Sequence, residues 1–328
     1  MTALPPIGER NAITDVPGIR VGQAEDAGLA TGVTVVLPDA PAVAAVDCRG
    51  GGPGTRETDA LAPGATVEAV HGVVLSGGSA YGLAAADGAM AWLRGQGRGY
   101  RVGEALVPVV PAAILFDLLT PEPKDWQTPP WRGLGEAACA AASRTVALGN
   151  AGAGMGARAG ALKGGTGTAS FADPGFTVGA LAAVNSMGSV VMPGTRCFWA
   201  WWLEQGGELG GQVPPAAAPR ALGVDFAAVS PRNTTLGVIA TDAALDRSQA
   251  RRVAIMAQDG LARAIRPVHG PLDGDTVFVL STGARALGDP LADLGRLGML
   301  AADALARAVM RGVYEARALG DVPAYRDG

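Results

Sequence analysis

The stretch "SPRNTTLGVIATD", Ser230–Asp242, decides the fold. Its second half, Leu236 to Ala240, is an apolar run that reads as a strand buried on both faces. Its first half sets an amide and two hydroxyls, Asn233, Thr234 and Thr235, at the mouth of that strand. Polar groups carried towards a core need partners, so the stretch asks what faces them.

A second stretch has the same construction. In "PLDGDTVFVL", Pro271–Leu280, Asp273 and Asp275 flank Gly274 ahead of the apolar run Val277–Leu280. Residues two apart in extended backbone share a face, so both carboxylates can turn to one neighbour. Pairing of the two strands in one sheet makes the Thr234 hydroxyl that neighbour. The competing reading, a calcium loop, lacks the further oxygen ligands at the required spacing. A threonine is a weak nucleophile without a base. A chain cut ahead of it would supply one, because a free α-amine titrates at roughly 7.7–8.0 and can take the hydroxyl proton near neutral pH.

Outward from these strands the chain mixes elements. Gly32–Asp39, Ala42–Cys48, Gly72–Leu75 and Thr276–Thr282 read as strands, and Phe176–Val191 as a strand pair or one bent strand. Helices are expected from about Ser79, over Gly135–Ser143, within Ala244–Ile265 (where Leu245, Val253, Met256 and Leu261 recur at helical spacing) and from Pro290 to about Arg317. The proline-rich Pro121–Gly133 reads as an exposed loop. Without steady βαβ alternation, the order predicts a layered α/β sandwich rather than a doubly wound sheet.

Composition narrows the function. With 328 residues, 48% of them apolar, and a mean hydropathy of +0.24, the chain buries a substantial core. A net charge of −4, dispersed basic residues and 5% aromatics argue against a nucleic-acid surface or a polybasic membrane patch, leaving a small molecule or peptide as partner. Cys48, Cys139 and Cys197 form no disulfide framework, and His71 and His269 do not join them at zinc-ligand spacing. A reducing compartment with no metal and no cofactor is expected. The start, "MTALPPIGERNAITDVPGIRVG", has no basic segment followed by an apolar one, and no apolar run reaches membrane-span length, so a cytoplasmic location is expected. The glycine loops "GGGPGT" and "GGTGTAS" match neither phosphate-binding fingerprint.

Seven motifs, in order over nearly the whole chain, carry a resemblance: "DVPGIRVG" (Asp15–Gly22), "RGGGPGTRETD" (Arg49–Asp59), "LSGGSAYGLAAADG" (Leu75–Gly88), "AGAGMGARAG" (Ala151–Gly160), "VNSMG" (Val184–Gly188), "RNTTLGVIATDA" (Arg232–Ala243) and "DGDTVFVLST" (Asp273–Thr282). Together they resemble the self-cleaving amidohydrolases that include the L-aminopeptidase/D-Ala-esterase/amidases, the β-aminopeptidases and the nylon-oligomer (6-aminohexanoate-oligomer) hydrolases. The resemblance implies one domain over residues 1–328, folded as a four-layer αββα sandwich of the N-terminal-nucleophile type. It implies self-cleavage of the Asn233–Thr234 bond into residues 1–233 and 234–328, and a homo-oligomer, a tetramer of processed units. The substrate implied is a small peptide or amide, attacked by Thr234 through an acyl-enzyme without a cofactor.

The same resemblance assigns roles. Asp273 and Asp275 orient the threonine ammonium, and Asn185 supplies an oxyanion donor, whose removal typically costs about 3–4 kcal/mol of barrier. Lys163 matches a lysine near the nucleophile, against the competing reading of a surface lysine in a glycine loop. Tyr81 lines the site or is a core aromatic, and the Gly77 and Gly78 amides at a helix start suit an oxyanion or a carboxylate. Two positions depart from the aminopeptidase branch. Ile114 stands where a glutamate for the substrate amine is expected, and Phe116 where a tyrosine is, which favours apolar or nylon-like linear amides. Trp199, Trp201 and Trp202 suit either an apolar rim or a subunit contact. The alternative is an acyltransferase like the ornithine acetyltransferases, which also cleave ahead of a threonine but after an alanine, where this chain has Asn233.

Overall fold

The computed structural model describes residues 4–217, 219–221 and 233–327. In chain order it holds β1 (Ile19–Asp26), β2 (Thr31–Pro38), β3 (Val43–Cys48), β4 (Thr55–Arg56), β5 (Val73–Ser76), α1 (Ala85–Gly95), β6 (Tyr100–Val102), β7 (Ala105–Val107) and β8 (Ala112–Ile114). There follow α2 (Trp131–Ala140), β9 (Arg158–Ala159), β10 (Leu162–Lys163), β11 (Gly165–Ala172) and β12 (Thr177–Asn185). Last come β13 (Thr234–Ala243), α3 (Arg247–Ala264), β14 (Thr276–Arg285) and α4 (Pro290–Tyr314).

Two five-stranded sheets form the middle of the molecule, ordered β1-β2-β5-β8-β4 and β11-β12-β13-β14-β3. Three apolar layers hold the stack together. Val33, Val35 and Val74 of the first sheet pack on α1 and α2 through Ala89, Leu93 and Trp131. Val36, Leu75 and Leu115 meet Leu181, Leu236, Val238 and Phe278 between the sheets. Ile239, Val277 and Val279 turn the other way, onto Val253, Leu261, Leu305 and Val309 of α3 and α4. The result is the four-layer αββα sandwich. Alternation along β13 explains it: Leu236, Val238 and Ala240 face the other sheet and Ile239 faces the helices, as a period of two requires.

Local chemistry sets the helix ends. Asp246 caps α3 through Gln249 in a capping box, and Asp289 caps α4 with Pro290 at its first position. The helices α1 and α2 cross where Gly88 meets the Arg132 carbonyl and Gly135 the Ala85 carbonyl, so a Cβ at either position would hold the helices apart.

Several expectations need correction. The second helix starts earlier, at Trp131, because Trp131 is the buried anchor of the first helical layer. For the same reason the loop ahead of it is not simply exposed: the Lys124 side chain, 3% exposed, folds inward onto Asp117. The segment from Phe176 is one strand that ends at Asn185. Among the described residues no helix is long and apolar enough to cross a membrane.

Candidate active site

Thr234 is the first residue of β13 and shares the parity of Leu236 and Val238, so it sits at the rim of the layer between the sheets. Several element ends collect at this rim. The end of β12 pairs Asn185 with Thr234 in antiparallel register. The start of β14 runs parallel to β13, with Leu236 opposite Thr276, and Asn233 bridges Asp273. The shared-sheet placement expected for Thr234 and the two aspartates is therefore the observed one.

The hydroxyl of Thr234 donates to the carbonyl oxygen of Asn233 at 2.6 Å. That oxygen also accepts the backbone N–H of Gly274 at 3.0 Å. Gly274 lies so close that a Cβ there would stand 2.5 Å from Thr234 Oγ1. Asp275 turns one oxygen, Oδ1, to the Thr235 amide at 2.7 Å. Its other oxygen takes the His269 amide at 3.0 Å and faces His269 Nδ1 at 2.9 Å. Asp273 accepts the Gly270 amide on Oδ2 at 2.7 Å, while its buried Oδ1 makes no hydrogen bond among the described residues. Burial and then the neighbouring Asp275 charge push the Asp273 carboxyl above its usual range, against the Gly270 amide, His269 and the Met187 amide. A cation placed here would relieve both effects.

The loop of three glycines backs this turn instead of cradling a phosphate. The Arg49 amide donates to the Asp275 carbonyl at 3.0 Å and the Gly52 amide to the Asp273 carbonyl at 2.7 Å.

Asn185 is buried, accepts the Arg158 amide at 2.9 Å and donates through Nδ2 to the Phe116 carbonyl at 3.1 Å. Phe116 thus reaches the site through its backbone, while Ile114, buried at the end of β8, lies against Gly54. No charged side chain replaces the glutamate or the tyrosine at these two positions.

Lys163 is no surface lysine. It is fully buried and donates to the carbonyls of Gly154 and Gly164, each at 2.9 Å. Burial lowers its pKa to about 7, with Asp117 acting to raise it and Lys124 to lower it.

The Gly77 and Gly78 amides are spent inside the fold, on the Gly32 carbonyl at 2.9 Å and on Asp117 Oδ1 at 2.9 Å. Tyr81 is not a core aromatic. It is 55% exposed, edge-on to Trp126 at 5.3 Å and stacked near Trp131 at 6.2 Å. Trp199 carries the Arg266 guanidinium over its ring, and Trp201 meets Trp202 edge-on at 6.4 Å; Trp202 is exposed.

Sequence reading missed His269, Gly274, Asp117 and Trp126. His269 had one available signal, as one of two histidines and only four residues ahead of Asp273. Gly274 and Asp117 owe their places largely to distant partners, Asn233 and the Thr31–Gly78 pair, and Trp126 packs on Tyr81 and Trp131.

Comparison with known proteins supports the family resemblance of the chain. Peptidase family S58 matches over residues 11–323. An uncharacterized aminopeptidase of Mycobacterium tuberculosis is 51% identical over 97% of each chain. A 6-aminohexanoate-oligomer endohydrolase of Kocuria sp. is 30% identical over 82% of this chain and 74% of its own. Among solved structures, a Burkholderia sp. beta-aminopeptidase shares 25% identity and a TM-score of 0.71 over 97% of this chain and 92% of its own. An L-aminopeptidase D-Ala-esterase/amidase of Ochrobactrum anthropi, described as a variant of the Ntn hydrolase fold, has a TM-score of 0.70 at 24% identity over 96% and 89%. That last likeness speaks for the fold.

Proposed function

The chain belongs to peptidase family S58 and is a hydrolase of peptide or amide bonds, and on that premise we propose that it works through Thr234, freed by self-cleavage of the Asn233–Thr234 bond. One observation carries the reading. The Thr234 hydroxyl lies 2.6 Å from the Asn233 carbonyl oxygen, which the Gly274 amide also holds, with Asp273 and Asp275 following in the same turn.

The proposed self-cleavage uses that arrangement. Thr234 Oγ bonds to the Asn233 carbonyl carbon as its proton is handed on towards the Thr234 nitrogen, and the Gly274 N–H stabilises the oxyanion. The Asn233–Thr234 C–N bond breaks, the nitrogen takes a proton, and an ester to Oγ remains. Water hydrolyses that ester, giving Asn233 a carboxylate and Thr234 a free amine. In turnover the amine takes the Oγ proton as the hydroxyl attacks a substrate amide, then passes it to the leaving amine. The acyl-enzyme ester is hydrolysed by water. Asp273, with an oxygen that makes no hydrogen bond among the described residues, faces the ammonium form, and Asp275 fixes the adjoining Thr235 amide. Asn185, which lies opposite Thr234 at the end of β12, supplies the side-chain donor for the substrate oxyanion on this reading.

Ile114 and Phe116 favour linear apolar amides, peptides or ω-amino-acid oligomers, over substrates that must present a charged amine. The working assembly on this reading is a tetramer of processed units. The acyltransferase alternative gains no support from the family or its relatives.

The test is processing itself. The 32.8 kDa chain should resolve on a denaturing gel into fragments whose masses match residues 1–233 and 234–328, and Thr234→Ala should stay whole and inactive. Amide hydrolysis by an uncleaved Thr234→Ala protein would end the proposal. Hydrolysis of amides that lack a free amine at rates comparable to their amine-bearing counterparts checks the substrate class.

A further inference from the structure

Three arginines from distant parts of the chain converge on one small cleft. Arg10 of the N-terminal segment, Arg144 of the loop after α2 and Arg311 in the last turn of α4 line a cavity of about 150 Å3, together with Thr145, Val146 and Leu148. Their charge is poorly matched. Arg144 makes no ion pair among the described residues and gives one hydrogen bond, to the Thr14 carbonyl at 3.4 Å. Arg10 lies 3.9 Å from Glu9, its mostly exposed sequence neighbour. Arg311 shares Glu208 with the fully buried Arg307, which takes both carboxylate oxygens at 2.6 and 2.8 Å and leaves Arg311 Nε 3.5 Å away. Two guanidinium groups thus divide one carboxylate. Burial pushes the Arg311 pKa below its usual range; Glu208 opposes this, Arg307 adds to it and Glu315 opposes it. Glu315 itself lies 3.2 Å from Arg326. Asp15 has its oxygens taken by the Arg10 and Ala12 amides and the Ser170 hydroxyl.

We propose that this cleft binds a small oxyanion, inorganic phosphate or the carboxylate of a short-chain acid, between Arg10, Arg144 and Arg311. Guanidinium groups match the oxygens of phosphate and carboxylate in pairs. A guanidinium drawn into partial burial without a full share of opposite charge gains most from an added anion. The cleft is smaller than the roughly 300–1,000 Å3 that takes drug-sized ligands, which limits the occupant to a compact ion. The chain as a whole carries a net charge of −4, so the attraction is local to this cluster. The site does not depend on the proposed nucleophile. Its arginines are anchored on the Thr14, Asn11 and Thr168 carbonyls and on Glu208. It does span the proposed cut: Arg10 and Arg144 precede Asn233, and Arg311 follows it. A bound anion would therefore hold the two pieces together by charge, where the cores hold them by packing.

The experiment is isothermal titration calorimetry of the purified protein with inorganic phosphate, acetate and butyrate in turn, near neutral pH and at constant ionic strength. The parent is compared with Arg144→Gln and Arg10→Gln. Both arginines are exposed, and melting curves in chloride check that the variants keep the fold. The parent should give a saturable isotherm with one ion bound per chain. Each substitution should weaken that binding about tenfold or more, the typical loss when a charge-assisted hydrogen bond is removed. The same ion should raise the melting midpoint of the parent by mass action, and raise it less in the variants. Saturable binding of phosphate alone supports the proposal and assigns the cleft to phosphate. Saturable binding of acetate or butyrate that the two substitutions weaken supports it and assigns the cleft to carboxylates. No saturable binding of any of the three ions, or equal affinity in the parent and both variants, overturns it.

Discussion

Replacing Gly274 with alanine probes the proposed nucleophile without removing any polar group. The backbone N–H that holds the Asn233 carbonyl is kept, and so are both aspartates. The added Cβ would stand 2.5 Å from Thr234 Oγ1, 3.2 Å from Thr234 Cγ2 and 3.1 Å from the Gly52 carbonyl. A Cβ essentially never sits closer than 3.0 Å to another heavy atom, and ordinary contact begins at 3.4 Å. The hydroxyl therefore has to retreat by roughly 0.5–0.9 Å or rotate about χ1 to another rotamer. A displacement of about 1 Å from attack geometry is worth about a hundredfold in rate, or about 2.7 kcal/mol of barrier. Gly274→Ala should therefore accumulate as the full-length chain, with its first-order processing slowed about a hundredfold. Denaturing gels and intact-mass spectrometry over a time course read this directly, and a melting curve checks that the variant is folded. A folded Gly274→Ala protein that processes at the parental rate would show that Thr234 Oγ1 is not the attacking atom.

Two further outcomes follow from the electrostatics. Lys163, held at about 7 in the native chain against 10.5 for a free lysine, keeps its proton in the unfolded chain between those values but not in the native one. Its contribution to native stability therefore rises with pH across that window, by up to about 1.4 kcal/mol per pH unit, and is lost as pH falls towards 7. The stability of the parent minus that of Lys163→Met, from urea unfolding at pH 7, 8 and 9, should grow with pH; a constant difference contradicts the buried lysine. Arg307, fully buried in α4, holds Glu208 through two hydrogen bonds of 2.6 and 2.8 Å, so Glu208→Ala leaves a buried guanidinium with the neutral Ser170 carbonyl and Asn11 amide but without its carboxylate. Such a loss typically costs about 3–5 kcal/mol, and an unfolding midpoint close to the parent's would show that Arg307 finds another partner.

What the sequence made legible is what obeys a local period. Alternation told which residues of 234–243 and 273–280 share a face, and the register Leu236 opposite Thr276 follows from two apolar runs of similar length seeking one core. Strand β11, "GTGTASFA", escaped notice because it has almost no bulky strand formers. The reason lies in the layer above: a Cβ at Gly167 would run into the Ala308 carbonyl of α4, and one at Gly165 into that of Gly312. A strand pressed this closely by a helix has to be built from small residues, and composition alone then resembles a loop. Lys163 misled for a similar reason. Its neighbours are glycines, which suggest a surface turn, yet its amide bonds to the Pro323 carbonyl at 2.8 Å, near the other end of the chain. The Gly77–Gly78 amides look open in sequence because the carboxylate that claims Gly78 is 39 residues away. Burial produced by distant segments has no local signature.

The cut itself would cost the fold little. Strand β13 lies between β12, on one side of the scissile bond in sequence, and β14, on the other. Both inner cores draw residues from either side of Asn233, and Glu208 grips Arg307 and Arg311 across it. Residues 234–328 could leave only by opening those cores, so cleavage frees two ends without separating the pieces. The ladder of β13 starts at Thr234 itself, and the contacts given up at Asn233 include those of its carbonyl with the Thr234 hydroxyl and the Gly274 amide. On the proposed mechanism this is the useful part of the loss. Once Asn233 departs, the Gly274 N–H that polarised its carbonyl points at the position a substrate carbonyl must take to be attacked by the same oxygen. Self-cleavage is then a first turnover on the chain's own amide, and the donor it leaves behind joins Asn185 in serving the substrates that follow.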